Sequence, residues 1–254
     1  MRLCASVIAV IVLFSCTHSR NNPCDEEGSV FDPGIFGVEA REPVFEMGWV
    51  KNPETEVCGV LVDRFEASRR DAAADGTSAG VDNESNPRSL QGYLPWTKVK
   101  FDDARKYCEN TCFNDMCKRI CKKSEFILAC RGGYATEPEP LEGENQTQDY
   151  PYGNEYDGKK CNGEDKGLDR VMLTGENIDC FTDRNVLFVP ETKAPGLYDL
   201  TGNIAEWVED DETGEGIAVG GSWKSGKEDM SCESIDDSKK PGEEYEEVGF
   251  RCCK

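Results

Sequence analysis

Three oxygen-bearing side chains, Asp199, Asn203 and Glu206, fall within the stretch GLYDLTGNIAEW at Gly196–Trp207. Glycines between them permit tight turns, so backbone carbonyls can converge with the side-chain oxygens. Such a set suits calcium, which takes ~6–8 oxygens in a flexible geometry. A plainer role suits the same residues: two solvated loop acids and an asparagine that caps a turn. Cysteine is the other reactive type, with 14 in a chain of 254 residues that has 1 histidine. That histidine, His18, precedes every segment that patterns as folded. A Ser-His-Asp triad, a Cys-His pair and a His-ligated zinc or iron site are therefore all excluded from the domain. Among 50 acidic residues a carboxylate pair can always be found, so acid–base catalysis gains no support from composition. No glycine-rich phosphate loop follows a strand pattern, which argues against nucleotide chemistry. Trp49, Trp96, Trp207 and Trp223 could stack on sugars, but such residues are read here mainly as core.

The surrounding chain sets the compartment. Met1–Ser15 has a basic end at Arg2, an apolar run over 3–14 and a small residue at Ser15, the pattern of a secretion signal. The run is shorter than the roughly 20 residues of a spanning helix. Leu13-Phe14-Ser15-Cys16 resembles a bacterial lipobox, which would make Cys16 an acylated N-terminus. The alternative is ordinary cleavage with Cys16 left as a thiol. Residues 16–43 are polar and then Gly/Pro-rich, and read as a tether. The expected domain is 44–254. Setting Cys4 and Cys16 aside leaves 12 cysteines: Cys24, Cys58, Cys108, Cys112, Cys117, Cys121, Cys130, Cys161, Cys180, Cys232, Cys252 and Cys253. An even number behind a secretion signal predicts a disulfide framework of up to six bridges. The rival, a zinc site from the run Cys108–Cys121, lacks the C-x2-C spacing of common zinc ribbons. Adjacent Cys252 and Cys253 point to opposite faces if extended, so each should find its own partner. The net charge of −21 disfavours nucleic acid and anionic membrane as partners.

Regular structure reads as sparse. Val57–Phe65 alternates enough for a strand, with Phe45–Gly48 leading into it. Asp71–Arg88 is a loop. Pro95–Cys108 predicts a helix capped by Asp102 or Asp103, and Lys122–Arg131 a second one with Phe126, Ile127 and Cys130 on its apolar face. Beyond Tyr134 the chain runs to Pro195 mostly without a period.

Several of these pieces together resemble one family. They are Phe-Glu-Met-Gly at 45–48, Val-Asp-Arg-Phe-Glu at 62–66, the Ala-x-x-Tyr-Cys helix at 104–108 and Tyr-Pro-Tyr-Gly at 150–153. GLYDLTGNIAEW, GGSW at Gly220–Trp223 and GFRCC at Gly249–Cys253 complete the set. In this order they are similar to the formylglycine-generating enzymes, or sulfatase-modifying factors, a branch of the C-type-lectin-like folds. The resemblance covers about Val44–Lys254 and implies an α+β fold, poor in regular structure and rich in disulfides. It implies calcium held by Asp199, Glu206 and the backbone oxygens of Leu200, Gly202 and Ile204, with Asn203 orienting the loop. A second, less secure ligand set maps onto Asn162, Gly163, Asp179 and Phe181.

The family's oxidative chemistry uses two cysteines shortly after the GGS turn to bind copper. Here only Cys232 follows before Cys252, so copper is not expected and no catalytic residue is assigned. The related branch with three histidines on iron has no counterpart either. The expectation is a non-catalytic, exported, lipid-anchored domain at a bacterial cell envelope, as an outer-membrane lipoprotein. Its loops would bind a peptide, a glycan or an envelope protein. The alternative is an oxidoreductase that joins Cys232 with Cys252 or Cys253.

Overall fold

The computed structural model describes residues 47–51, 59–113, 116–132, 148–182, 186–189 and 196–254. The signal, the tether, Cys24 and Cys58 lie outside them. A five-stranded sheet has the order β5-β12-β2-β1-β7. These strands are β1 (Met47–Lys51), β2 (Gly59–Asp63), β5 (Arg119–Ile120), β7 (Val186–Val189) and β12 (Cys252–Cys253). A three-stranded sheet sets β9 (Ala205–Glu209) between β10 (Gly216–Val219) and β11 (Val248–Phe250). β9 runs antiparallel to β10 and parallel to β11. Two small ribbons pair β3 (Cys112–Phe113) with β4 (Met116–Cys117), and β6 (Phe181–Thr182) with β8 (Leu197–Tyr198). The GFRCC motif therefore spans two sheets, with Val248–Phe250 in one and Cys252–Cys253 in the other.

The two predicted helices are present as α1 (Phe101–Glu109) and α2 (Lys123–Cys130). Their ends differ from expectation. Asp102 and Asp103 occupy the first turn of α1, while Lys100 sits at the cap without a side-chain bond. Carboxylates there still interact favourably with the positive helix end, which explains why they pattern like caps. On α2, Phe126, Ala129 and Cys130 are buried, whereas Ile127 is only half-buried.

Two apolar clusters carry the core. In one, Phe126 and Cys130 of α2 meet Val62, Leu197, Leu200 and Val208. In the other, Trp96, Trp207 and Phe250 pack with Phe101 and Ala104 of α1. Trp207 donates its indole N–H to the Val99 carbonyl at 2.8 Å, so its one polar atom is satisfied in the interior. Trp96 and Trp207 are thus core, as read from sequence; Trp223 is half-buried, and the side chain of Trp49 lies outside the described residues.

Close approach explains Gly249 of the GFRCC motif. A Cβ there would stand 2.5 Å from Ile204 Cδ1 and 2.6 Å from the Trp96 carbonyl oxygen. Backbone cannot yield as a side-chain tip can. Gly249→Ala is expected to destabilise the domain by about 1–3 kcal/mol, read as a lower urea midpoint at unchanged slope.

Candidate functional site

The stretch Gly196–Trp207 forms the centre of a buried polar network. β9 carries Glu206, fully enclosed, and β12's neighbour Arg251 reaches it with a two-pronged ion pair. Arg251 Nε donates to Glu206 Oε2 at 2.7 Å and Nη2 to Oε1 at 2.6 Å. The remaining guanidinium protons go to the Asp63 carbonyl at 3.0 Å and the Tyr198 carbonyl at 2.9 Å. Arg251 thus ties β2, β8 and β9 together. Asp63, also buried, accepts from Lys118 Nζ at 2.5 Å. Glu66 accepts from both the Asn203 side chain, at 2.8 Å, and the Ile204 N–H, at 3.3 Å.

Asn203 is a hub of this network. It holds a left-handed backbone at φ 61°, which asparagine tolerates better than most residues. Its Oδ1 accepts from the Met172 N–H at 2.7 Å and from Asn162 Nδ2 at 3.0 Å. Its own N–H donates to the Asn162 carbonyl at 2.8 Å. Gly202 precedes it at φ 73°, where a Cβ would stand 2.7 Å from that same carbonyl.

Burial raises the carboxyl pKa values here. Asp199 is pushed up to about 7, chiefly by burial, with a bond from the Gly175 N–H opposing. Glu66 is raised well above the usual range by burial and then by the Asp199 and Glu206 charges. Glu206 is raised by burial and drawn back by Arg251.

The structure treats the expected calcium ligands unevenly. In the first set, both Glu206 oxygens are committed to Arg251, and Asp199 Oδ2 accepts from Gly175 at 2.7 Å. A guanidinium already neutralises Glu206, so a cation on this set would have to share that carboxylate with Arg251. In the second set, Asn162 is 1 % exposed, yet its Oδ1 has no hydrogen-bond partner. Asp179 is exposed, 3.9 Å from Lys160. The Gly163 carbonyl accepts from the Lys166 N–H, and Phe181 lies in β6. Among the described residues no three His, Cys, Asp or Glu side chains converge as a metal cage. A cation there would rest on amide and carbonyl oxygens, which suits a hard ion.

All ten described cysteines are bridged. The pairs are Cys108–Cys252, Cys112–Cys117, Cys121–Cys253, Cys130–Cys232 and Cys161–Cys180. The zinc alternative over Cys108–Cys121 is thereby overturned, since no thiolate remains in that run. Beside the Cys130–Cys232 bridge lies a recess of about 270 Å³. It is lined by Arg131, Asp149, Tyr150, Lys227, Glu228, Ser231 and Glu233. Arg131 pairs with Glu233 at 2.8 Å. The Tyr150 ring stacks on Tyr152 with centroids 5.4 Å apart.

A family model for the sulfatase-modifying factor enzyme 1-like domain matches residues 50–254. The chain belongs to this family. Solved structures similar to it include the Treponema denticola variable protein 1, at 12 % identity over 83 % of this chain and 92 % of that one, with a TM-score of 0.48. PvdO from Pseudomonas aeruginosa is 19 % identical over 78 % of this chain and 80 % of its own, at 0.47. CarF is 18 % identical over 78 % and 87 %, at 0.45. No protein of curated function matches the chain significantly in sequence.

Within this sulfatase-modifying-factor domain, GGSW is followed by one cysteine before Cys252, namely Cys232, and it is cross-linked to Cys130. The expected oxidoreductase alternative, Cys232 with Cys252 or Cys253, is not formed. Cys252 and Cys253 sit on β12 facing opposite ways, and each finds a different partner on the segment 108–121. The five bridges imply an oxidising, exported setting. No helix among the described residues is long and apolar enough to cross a membrane.

Sequence reading missed two central residues, Arg251 and Glu66. The signal was present in both cases: a charge flanked by Phe250 and Cys252, and one flanked by Phe65 and Ala67. A charge inside an apolar run needs a buried partner, but sequence does not say which.

Two outcomes follow from the network. Arg251→Met leaves Glu206 an uncompensated buried anion and should cost about 3–5 kcal/mol, with partial recovery in the Arg251→Met, Glu206→Gln double variant by chemical denaturation. Asp199 titrates from 3.8 in the unfolded chain to about 7 in the fold. The folded state therefore holds a proton that the unfolded state has lost, and stability declines as pH rises from about 4 to about 7. Melting temperature should fall across that window in chelator, and Asp199→Asn should flatten the fall.

Proposed function

We propose that this chain is a non-catalytic member of the sulfatase-modifying-factor family. It is exported, anchored through an acylated Cys16 at a bacterial outer membrane, and binds a peptide, a glycan or an envelope protein on its loop surface. The observation that carries this reading is the state of Cys232. It is fully buried and cross-linked to Cys130, so two thiolates do not stand together below GGSW. Linear copper binding needs both.

The recess beside that bridge is the place we assign to the ligand. It is concave and lined by charged groups of both signs, the Ser231 hydroxyl and Tyr150, so recognition there would run through polar groups rather than the apolar walls more usual in small-molecule pockets. A panel of short peptides and envelope oligosaccharides, titrated calorimetrically, tests the assignment. A binder should lose at least tenfold affinity on Asp149→Asn with Lys227→Ala, at unchanged melting temperature. Copper-dependent oxidation of a cysteine in a sulfatase-derived peptide would overturn the non-catalytic reading.

Calcium enters as a brace at the second ligand set. The unsatisfied Asn162 Oδ1 is an orphan acceptor that a cation would complete, helped by Gly163, Asp179 and Phe181. Calcium would link this loop to Asn203 and hence to the buried network. We expect millimolar calcium to raise the melting temperature of the wild type and not of Asn162→Ala. An equal rise in both would remove the brace from this position.

A further inference from the structure

Four of the five bridges share two properties. Cys108–Cys252, Cys121–Cys253, Cys130–Cys232 and Cys161–Cys180 join residues 19 to 144 positions apart. Each of their eight cysteines is 0 or 1 % exposed. Cys112–Cys117 differs in both. Its separation is 5, and both cysteines are exposed. They face each other directly across the β3–β4 ribbon.

The setting of this ribbon matters as much as its exposure. Cys108 precedes it and is bridged to Cys252; Cys121 follows it and is bridged to Cys253. Both ends of the segment 108–121 are therefore pinned to adjacent positions of β12 by buried cross-links. The Lys118 N–H donates to the Thr111 carbonyl at 2.9 Å just outside the inner bridge. Opening Cys112–Cys117 releases a local ribbon and leaves every long-range cross-link in place.

We propose that Cys112–Cys117 is a thiol–disulfide exchange site of the folded protein, serving a dithiol partner of the thiol–disulfide oxidoreductase class. The partner's thiolate attacks one Sγ of the bridge and forms a mixed disulfide. The other Sγ leaves as a thiolate and takes a proton. The partner's second thiolate then attacks the mixed bond and departs as an intramolecular disulfide, and the second cysteine is protonated. Two electrons and two protons pass to Cys112 and Cys117, and the partner's dithiol is oxidised; the reverse sequence closes the bridge. Exchange requires a thiolate to reach a sulfur, and among the described bridges this one alone offers exposed cysteines without unfolding. The inference does not depend on the ligand reading above.

The test uses the full exported chain under native conditions. Graded dithiothreitol is followed by N-ethylmaleimide and peptide mass mapping, with Cys24 and Cys58 scored separately. Cys112 and Cys117 should be labelled at a reductant concentration at least tenfold below that needed for the other eight, with circular dichroism unchanged. A thioredoxin-fold protein whose second active cysteine is serine should be trapped on Cys112 or Cys117. It should not be trapped on a Cys112→Ser, Cys117→Ser variant. Simultaneous labelling of all ten, or earlier labelling of a buried pair, overturns the proposal. So does selective labelling without a trapped complex, which would leave an accessible bridge that no protein partner uses. If the double variant fails to fold, the wild-type labelling order and site-mapped trapping still decide.

Discussion

The interior of this domain depends on one guanidinium. Arg251 is buried with the carboxylate of Glu206, and desolvating two charges is unfavourable unless geometry and remaining hydrogen bonds repay it. Here every side-chain nitrogen of Arg251 has an acceptor: both oxygens of Glu206 and the carbonyls of Asp63 and Tyr198. Those acceptors come from different strands, so the pair can be satisfied only when the strands are correctly assembled. The arrangement specifies register more than it adds stability. Around it, Asp63 leans on Lys118 and Glu66 on Asn203, which extends the same requirement to the link between β4 and β5 and to the Asn162 loop.

The disulfides solve a different problem. Long segments between the sheets have little regular backbone pairing, so they need other restraints. Cys108–Cys252 and Cys121–Cys253 fasten the hairpin region to the C-terminal strand, and Cys130–Cys232 fastens α2 to the loop after GGSW. The last of these engages the first cysteine after GGSW. The bridge lies next to the charged recess, whose lining includes the neighbouring residues Arg131, Ser231 and Glu233.

The Asn203 loop joins the network to the surface. Its left-handed turn brings the Asn162 carbonyl against Gly202 and sets Asn162 Nδ2 on Asn203 Oδ1. A cation completing Asn162 Oδ1 would therefore be felt at Glu66 and Ile204 through hydrogen bonds rather than through apolar packing.

Sequence alone determined the elements whose signal is local. α1 and α2 were legible from helical spacing and β2 from alternation, while the expectation that the tryptophans are mainly core holds for Trp96 and Trp207 and not for half-buried Trp223. The opposite partners of Cys252 and Cys253 were legible because neighbours on a strand diverge. The family motifs fixed the fold, since their order along the chain is itself the pattern. What sequence left open depended on distant residues meeting. Nothing in GFRCC says that Arg251 will take Glu206, 45 positions away. Nothing near Cys232 says that it will find Cys130. Partner choice among buried charges and cysteines is decided by which strands lie side by side. That is a property of the assembled sheets, because ion pairs and bridges form wherever packing brings complementary groups within a few ångströms.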